Sequence, residues 1–574
     1  MTALLTDNLP LLAGAPNGIK KLRELILELA VRGKLVPQDP NDEPASELLK
    51  RIAEEKVRLV AEGKIRKQKP LAEIGEEEKP FELPEQWQWV RLGEIAEIIR
   101  GVTYNKSDAS DAPLPEYAPL LRGNNINRTL NFDRPVFVPQ KLISEHQYIK
   151  AGDIVIAMSS GSADLVGKAA QATANFDGAF GAFCGVVRSR TSDLFHFFGF
   201  FFQTPLYRSR AAGHGKGIGI NNLQKSALET LEIPIPPLAE QHRIVAKVDE
   251  LMALCDRLEA QQADADSAHA ELVQALLNSL TQASDADDFA QSWQRLAEHF
   301  HTLFTTESSI DALKQTLLQL AVMGKLVPQD PSDEPASELL KRIAGKKALL
   351  MADGKIRRQK ALAKISDDEK LFELPAEWTW ARLEDISHIF SGNAFKSEDF
   401  QEDSGAKVIK ITNAGVGEFI RTNDYLPAEY EYEYASFRVL KGDLILALTR
   451  PYISTGLKIS RCPAEYDGAL LNQRVSAIRL SCEMSNEFGF LFLKSPIVLA
   501  IYQERFGNSG LQPNLKMADV TSLVIPIPPA AEQHRIVAKV DQLMALCDQL
   551  KNRVAEARQL HEQLATTLVE QAVA

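Results

Sequence analysis

The sequence contains itself twice. Residues 29–92 match residues 320–383 without a gap, with 45 identities in 64 positions at an offset of 291. The shared core reads LAVRGKLVPQDPNDEPASELLKRIA from Leu29 and LAVMGKLVPQDPSDEPASELLKRIA from Leu320. A second block, LEIPIPPLAEQHRIVAKVDELMALCDRL from Leu231, returns from Leu523 with 24 identities in 28, offset by 292. Between the blocks, residues 93–230 and 384–522 share only scattered anchors. These are Gly152-Asp153 with Gly442-Asp443, Asp177-Gly178 with Asp467-Gly468, Thr204-Pro205 with Ser495-Pro496, and Asn222-Leu223 with Asn514-Leu515. A period this long excludes a solenoid, whose repeats run to tens of residues. One chain therefore holds two copies of one folding unit as a fused pseudo-dimer.

The repeat predicts five segments: a helical region over 1–83, a variable domain over 84–230, a constant region over 231–375, a second variable domain over 376–522, and a constant helix over 523–574. After each PIPP turn the sequence takes up a 4-3-4-3 apolar spacing. In the first copy it falls on Ile244, Val248, Leu251, Cys255 and Leu258 and continues through Ala265, Leu272 and Leu276. In the second it falls on Ile536, Val540, Leu543, Cys547 and Leu550 and continues through Val554, Ala557, Leu564 and Leu568. That is a heptad seam on a helix over 239–281, ~64 Å long at ~1.5 Å per residue. A stripe so narrow wants one partner helix. The other copy supplies it, so the expectation is an antiparallel coiled coil paired along most of its length. Shorter helices are expected over 19–32 and 310–323, closed by Gly33 and Gly324, and from about 45 and 336 to Gly63 and Gly354. The basic tails GKIRKQK from Gly63 and GKIRRQK from Gly354 fit DNA phosphates, a solvated face or an acidic partner equally well.

Each variable block opens with a tryptophan pair, ELPEQWQWVRL and ELPAEWTWARL. Trp87, Trp89, Trp378 and Trp380 alternate as in a half-buried strand, which makes them core rather than base-stacking residues. DIVIAM from Asp153 and DLILAL from Asp443 read as strands, and 195–202 and 488–493 as apolar helices. The fold class expected is mixed α/β (α+β): two variable domains in pseudo-two-fold arrangement, separated by the two long helices.

Charge narrows the function. Lys+Arg number 65 and Asp+Glu 77, a net of −12, so bulk positive charge does not drive nucleic-acid binding. Residues 85–230 carry 15 basic and 13 acidic residues, and residues 376–522 carry 15 and 19. Any DNA surface must gather its basic groups on one face. The five cysteines are never spaced CxxC and read as buried reduced thiols of a cytosolic protein. No apolar run reaches the ~18 residues of a membrane span, and the charged first thirty residues lack a secretory core.

The ordered set of ELPxxWxWxRL, a spaced Gly-Asp strand, Asn-Leu, and IPIPPxAEQHRIV entering a long helix occurs twice. In this the chain closely resembles the DNA specificity subunit of type I restriction–modification enzymes, over essentially residues 20–570. The resemblance implies that each variable block is a target recognition domain reading one half of a bipartite, asymmetric site on double-stranded DNA. It implies that the long helices set the spacer and that the constant regions dock two methyltransferase subunits, with restriction/translocase subunits joining for cleavage. S-adenosylmethionine, ATP and magnesium are expected on those partners. The residues agree: there is no Asn- or Asp-Pro-Pro-aromatic motif, no FxGxG loop, no GxxxxGK[ST], and no metal-spaced His/Cys/Asp cluster. The chain is expected to be non-catalytic and cytoplasmic in a prokaryote. The rivals are a stand-alone methyltransferase or nuclease, a structural adaptor, and a decoy that titrates methyltransferase subunits.

Candidate base readers are polar residues in expected loops, since Arg and Lys suit guanine and Asn suits adenine. The first domain offers Arg122, Asn124, Asn125, Asn127, Arg128, Lys168, Lys216 and Asn221. The second offers Lys410, Thr412, Asn413, Arg450, Lys458, Asn508 and Lys516. His242 and His534, in identical contexts, are packing or partner contacts rather than catalytic bases.

Overall fold

The structure is a computed structural model that describes residues 9–63, 65, 69–162, 165–214, 221–354, 363–506 and 513–573. Short helices form where the repeat places them, at Gly18–Val31 and Ala45–Ala61 and again at Glu307–Val322 and Ala336–Ala352. The first ends because Gly33 turns to φ +68°, which lets the Lys34 amide reach back to the Leu29 carbonyl at 2.9 Å. Gly324, at φ +74°, does the same for Lys325 and Leu320. A Cβ here would also lie 2.5 Å from Pro84 or 2.6 Å from Pro375, so only glycine meets both demands.

Each variable block folds around a four-stranded antiparallel sheet of the same order. The first runs Ala96–Arg100, Cys184–Ser189, Ile154–Ala157, Ala169–Gln171; the second runs Ser387–Ser391, Val475–Leu480, Leu444–Ala447, Ile459–Arg461. The strands at Ile154 and Leu444 are buried on both faces, which is why they read as unbroken apolar runs. Ile154 and Ile156 enter one core, shared with the aromatic helix Phe195–Phe201, while Val155 and Ala157 enter another. The Gly-Asp anchor is structural. Buried Asp153 accepts from Arg188 at 2.8 and 2.6 Å, and Asp443 accepts from Arg479 at 2.9 and 2.6 Å. At the base of each block the tryptophan strand pairs with the IPIP strand, Gln88–Arg91 with Glu232–Ile235 and Thr379–Arg382 with Val524–Ile527. Trp87 and Trp378 are buried in the cores.

Two compact units result, one of residues 1–265 with 557–574 and one of residues 266–556. The long helices span Leu238–Gln282 and Ala530–Val573, and each contributes to both units. In the first unit Ile244, Val248, Leu251 and Cys255 share a core with Leu22 and Leu25 of a short helix and with Ala565 and Ala572 from the end of the second long helix. In the second unit Cys547 shares a core with Ile310, Leu313 and Leu317 of the matching short helix and with Val273 and Leu277 from the end of the first. Start lies beside end in each unit, which is the antiparallel sense, but a third helix joins both bundles. Leu258, Leu543 and Leu550 are half-buried; Ile536 and Val540 face the recognition-domain core.

Past the first turns the heptad reading holds in part: Leu276, Val554 and Leu568 are half-buried against the cores, while other seam positions are not. Leu272 and Leu564, expected on the seam, are 53% and 51% exposed, and Ala265 and Ala557 are exposed as well. Val273 and Ala565 are buried instead. Each lies 18 residues beyond the seam cysteine, which is five turns of a ~3.6-residue helix. A 3.6-residue repeat drifts off a 3.5-residue one by ~20° per heptad, which is the direction of this shift. Residues 259–268 are exposed on every face, so burial is concentrated at the helix ends rather than along most of the length. One cysteine also departs from expectation: Cys482 is exposed, near Lys346, while the other four are buried.

Candidate nucleic-acid interface

The end of the Ile154–Ala157 strand is where the first recognition domain gathers its variable segments. Ala157 N–H donates to the Lys168 carbonyl at 2.8 Å. The Met158 and Ser159 amides both donate to the Phe183 carbonyl, at 2.8 and 3.1 Å. Leu223 N–H donates to the Met158 carbonyl at 2.7 Å, and Asn221–Asn222 pairs antiparallel with Ser159–Ser160. The second domain repeats three of these bonds and reduces the short strand pair to one bridge. Ala447 N–H donates to Lys458 at 3.0 Å, Leu448 N–H to Arg474 at 2.9 Å, and Leu515 N–H to Leu448 at 2.8 Å; Thr449 bridges Asn514. Backbone hydrogen bonds thus fix three segments around each strand end.

The candidates separate on this frame. Lys168, Asn221, Arg450, Lys458 and Lys516 all belong to the segments at the strand end. Arg450 holds φ +48°, a backbone strain that side chains other than Gly, Asn and Asp seldom carry. Arg122 is exposed and lines a groove with Phe183. Asn124, Asn127, Arg128 and Thr412 are exposed on the flanking loops, Arg128 with a guanidinium nitrogen 3.7 Å from the Met252 sulfur. Lys216 and Asn508 lie outside the described residues.

Two candidates are overturned. Asn125 is 2% exposed and braces its own loop. Its amide donates to the Asn131 and Asp133 carbonyls, and its oxygen accepts from Arg122 N–H at 2.9 Å. Asn413 is fully buried and makes the matching bonds to Ile420, Thr422 and Lys410 N–H. A short polar side chain that satisfies three buried backbone or hydroxyl groups is the pin of a turn, not a probe. Lys410 is drawn inward too, paired with Asp424 at 2.5 Å over the Phe400 ring.

The AEQHR motif entering each long helix turns out to be a fastening point. Glu240 accepts from the buried Trp87 indole at 2.9 Å and from Gln38 at 2.6 Å, and Glu532 accepts likewise from Trp378 and Gln329 at 2.9 and 2.7 Å. Burial pushes both carboxyls above the usual range, against the pull of those donors. Arg243 and Arg535 clamp Asp42 and Asp333. These bonds tie the PQDPxDEP loop to the helix start and explain why that loop is repeated almost unchanged. His242 and His534 are exposed. The thiols of Cys184 and Cys462 are pushed up to about 12, chiefly by burial, so neither is a nucleophile near neutral pH.

Residues 84–265 and 375–557 match the family described as type I restriction modification DNA specificity domain. The chain belongs to that family. Among curated relatives, the type I restriction enzyme EcoAI specificity subunit of Escherichia coli is 42% identical over 97% of this chain and 94% of its own length. The EcoEI specificity subunit, also from Escherichia coli, is 39% identical over 97% and 94%. The EcoKI specificity subunit of Escherichia coli K12 is 27% identical over 83% and 86%. Each family match opens just before the tryptophan strand and runs into the long helix, so it takes in the strand-end frame and the Trp–Glu bond at the helix start, but not the PQDPxDEP loop. Among the described residues, no helix is long and apolar enough to cross a membrane.

Proposed function

We propose that this chain is the non-catalytic DNA-recognition subunit of a type I restriction–modification complex of the prokaryotic cytoplasm. Each recognition domain reads one half of a bipartite, asymmetric site. The constant regions dock two methyltransferase subunits for methylation, and a restriction subunit joins them for cleavage; S-adenosylmethionine, ATP and magnesium belong to those partners. The observation that carries this reading is the pair of strand ends, with one hydrogen-bond frame and two different sets of projecting side chains. A protein that must read two unlike half-sites keeps its frame and changes its probes. The test is methylation mapping of DNA from cells that hold the chain and its methyltransferase partner: two short specific sequences flanking a non-specific spacer are expected. Methyl transfer by the isolated chain would overturn the reading.

The long helices act as the ruler. Four residues inserted after Thr281, inside the last turn of the Leu238–Gln282 helix, lengthen it by ~6 Å at ~1.5 Å per residue. That is ~2 base pairs at ~3.4 Å each, with a rotation of roughly 40°. The spacer is expected to change by one or two base pairs while both half-sites stay the same. An active variant with an unchanged spacer would assign the ruler to the partner subunits.

A further inference from the structure

We infer that Phe183 and Arg474 are base-reading residues at one shared position, Phe183 packing on the 5-methyl group of a thymine in the first half-site and Arg474 hydrogen-bonding a guanine in the second. This rests on the DNA-reading function proposed above and deepens it to two side chains.

The two positions are equivalent by hydrogen bonding, not by residue type. Phe183 is the third residue of a tight turn closed by Cys184 N–H to the Gly181 carbonyl at 2.7 Å, and Arg474 is the third residue of a turn closed by Val475 N–H to Asn472 at 3.2 Å. Gly181 bridges Val102 in parallel, and Asn472 bridges Asn393 in the same sense. The carbonyl of each residue is held by the strand end, from Met158 or Leu448. The next residue in each case, Cys184 or Val475, is buried at the head of a central strand. The backbone is locked on both sides, so the side chain is presented without loop freedom. That preorganisation is what direct readout requires.

The side chains themselves point to a ligand. Phe183 is 68% exposed and sits in a groove of about 590 Å3 with Arg122, Lys106, Tyr104 and Asp111. An aromatic ring displayed among two cations with no ion-pair partner among the described residues and one carboxylate suits a surface that is anionic at its rim and apolar within, as a thymine methyl is inside the major groove. In the second domain Arg382, Arg421, Arg461, Arg479 and Arg505 form ion pairs, and Arg438 donates to the Glu431 carbonyl. Arg474 is exposed and has no such partner among the described residues. A guanidinium carried on a fixed backbone, with its fork free, matches the O6 and N7 acceptors of guanine.

The test uses the complex with its methyltransferase subunits and maps methylated sequences for Phe183→Ala, Arg474→Ala and Arg474→Lys. Arg474→Ala should relax a single G·C position in the second half-site, with discrimination falling roughly 5- to 150-fold, and leave the first intact. Phe183→Ala should relax one thymine position of the first half-site by a smaller factor and leave the second intact. Where Arg474→Ala abolishes methylation, Arg474→Lys decides, since it keeps the charge but not the fork. Thermal unfolding should stay at the parental temperature, because both side chains are exposed. Unchanged sequence preference at both half-sites, or a uniform loss across all sequences, overturns the inference and leaves a phosphate contact or a bystander. Exchange of residues 84–230 for those of another such subunit serves as the control. If that exchange alters the first half-site while Phe183→Ala does not, the residue assignment fails alone; if it alters nothing, the DNA-reading function itself fails.

Discussion

The two recognition domains share a main-chain frame and differ at many of the side chains it carries. Both carry the same four-stranded order, the same buried Asp–Arg clamp and the same pinned loop at Asn125 or Asn413. Yet the strand-end turn shows phenylalanine in one and arginine in the other. An acidic, aromatic run at Tyr430–Tyr434, with Tyr432 82% exposed, stands in the second domain where the first has the basic and amide pair Gln140–Lys141. The bases of the domains differ as well. In the first, Arg91, Glu232, Arg210 and Glu78 form one network, of which Arg91 and Glu232 are buried and Arg210 and Glu78 reach towards solvent. In the second, Val524 stands opposite Arg382 where Glu232 faces Arg91, and among the described residues Arg382 forms an ion pair only with Glu369. A frame of this kind tolerates divergence because its register is set by main-chain bonds that any residue except proline can make.

The largest test of that contrast is the exchange of residues 84–230, which should replace the first half-site entirely and leave the second untouched, as read by methylation mapping. The base networks come next. Arg91→Ala removes the buried centre of a charge network and should destabilise its unit by about 3–5 kcal/mol. Arg382→Ala leaves a carboxylate that is 35% exposed, and water can solvate it, so roughly half that loss is expected. Hydrogen exchange on peptides from each unit would report both, and equal losses would remove the distinction between the two bases. A smaller effect should be symmetric. Glu240→Ala and Glu532→Ala each strand a buried indole N–H, at about 1–3 kcal/mol, and unequal values in the same measurement would mean that the fastening points are not equivalent. The smallest is a pH effect. Arg382 and the Ser366 amide hold the Glu369 carboxyl at about 2, below its usual 4.5. A depressed carboxyl stabilises above its unfolded value, so that contribution should fade as pH drops from about 4.5 towards 2. Glu240 and Glu532 are shifted upward by burial and run the other way: they favour the fold at low pH and less so as pH rises.

Much of the architecture was legible in the sequence because it rests on local rules applied twice. The C-cap glycines, the apolar strands at Ile154 and Leu444 and the long helices beginning after PIPP all lie where periodicity and turn residues put them. The heptad phase held only in part because a 3.5- and a 3.6-residue repeat coincide over Ile244–Cys255 and part only beyond it. Asn125 and Asn413 looked like readers because nothing in a sequence shows whether an amide points in or out. Phe183 and Arg474 escaped notice for a plainer reason. The first lies six residues after Asp177 and the second seven after Asp467, so the shared anchor pairs them out of register. Only the turn hydrogen bonds restore the match.

The division of the molecule also sets an order of events in time. The core around Cys255 is completed by Ala565 and Ala572, with Leu568 and Val569 packed against it. A ribosome makes those residues about 300 positions after Cys255. At ~5–20 residues per second that is a delay on the order of 15–60 s. Throughout that interval the first recognition domain can fold its sheet, but the start of its long helix must wait with one apolar side uncovered, while the second unit, continuous over residues 266–556, can complete itself first. The half that begins synthesis earlier is therefore the half that finishes later.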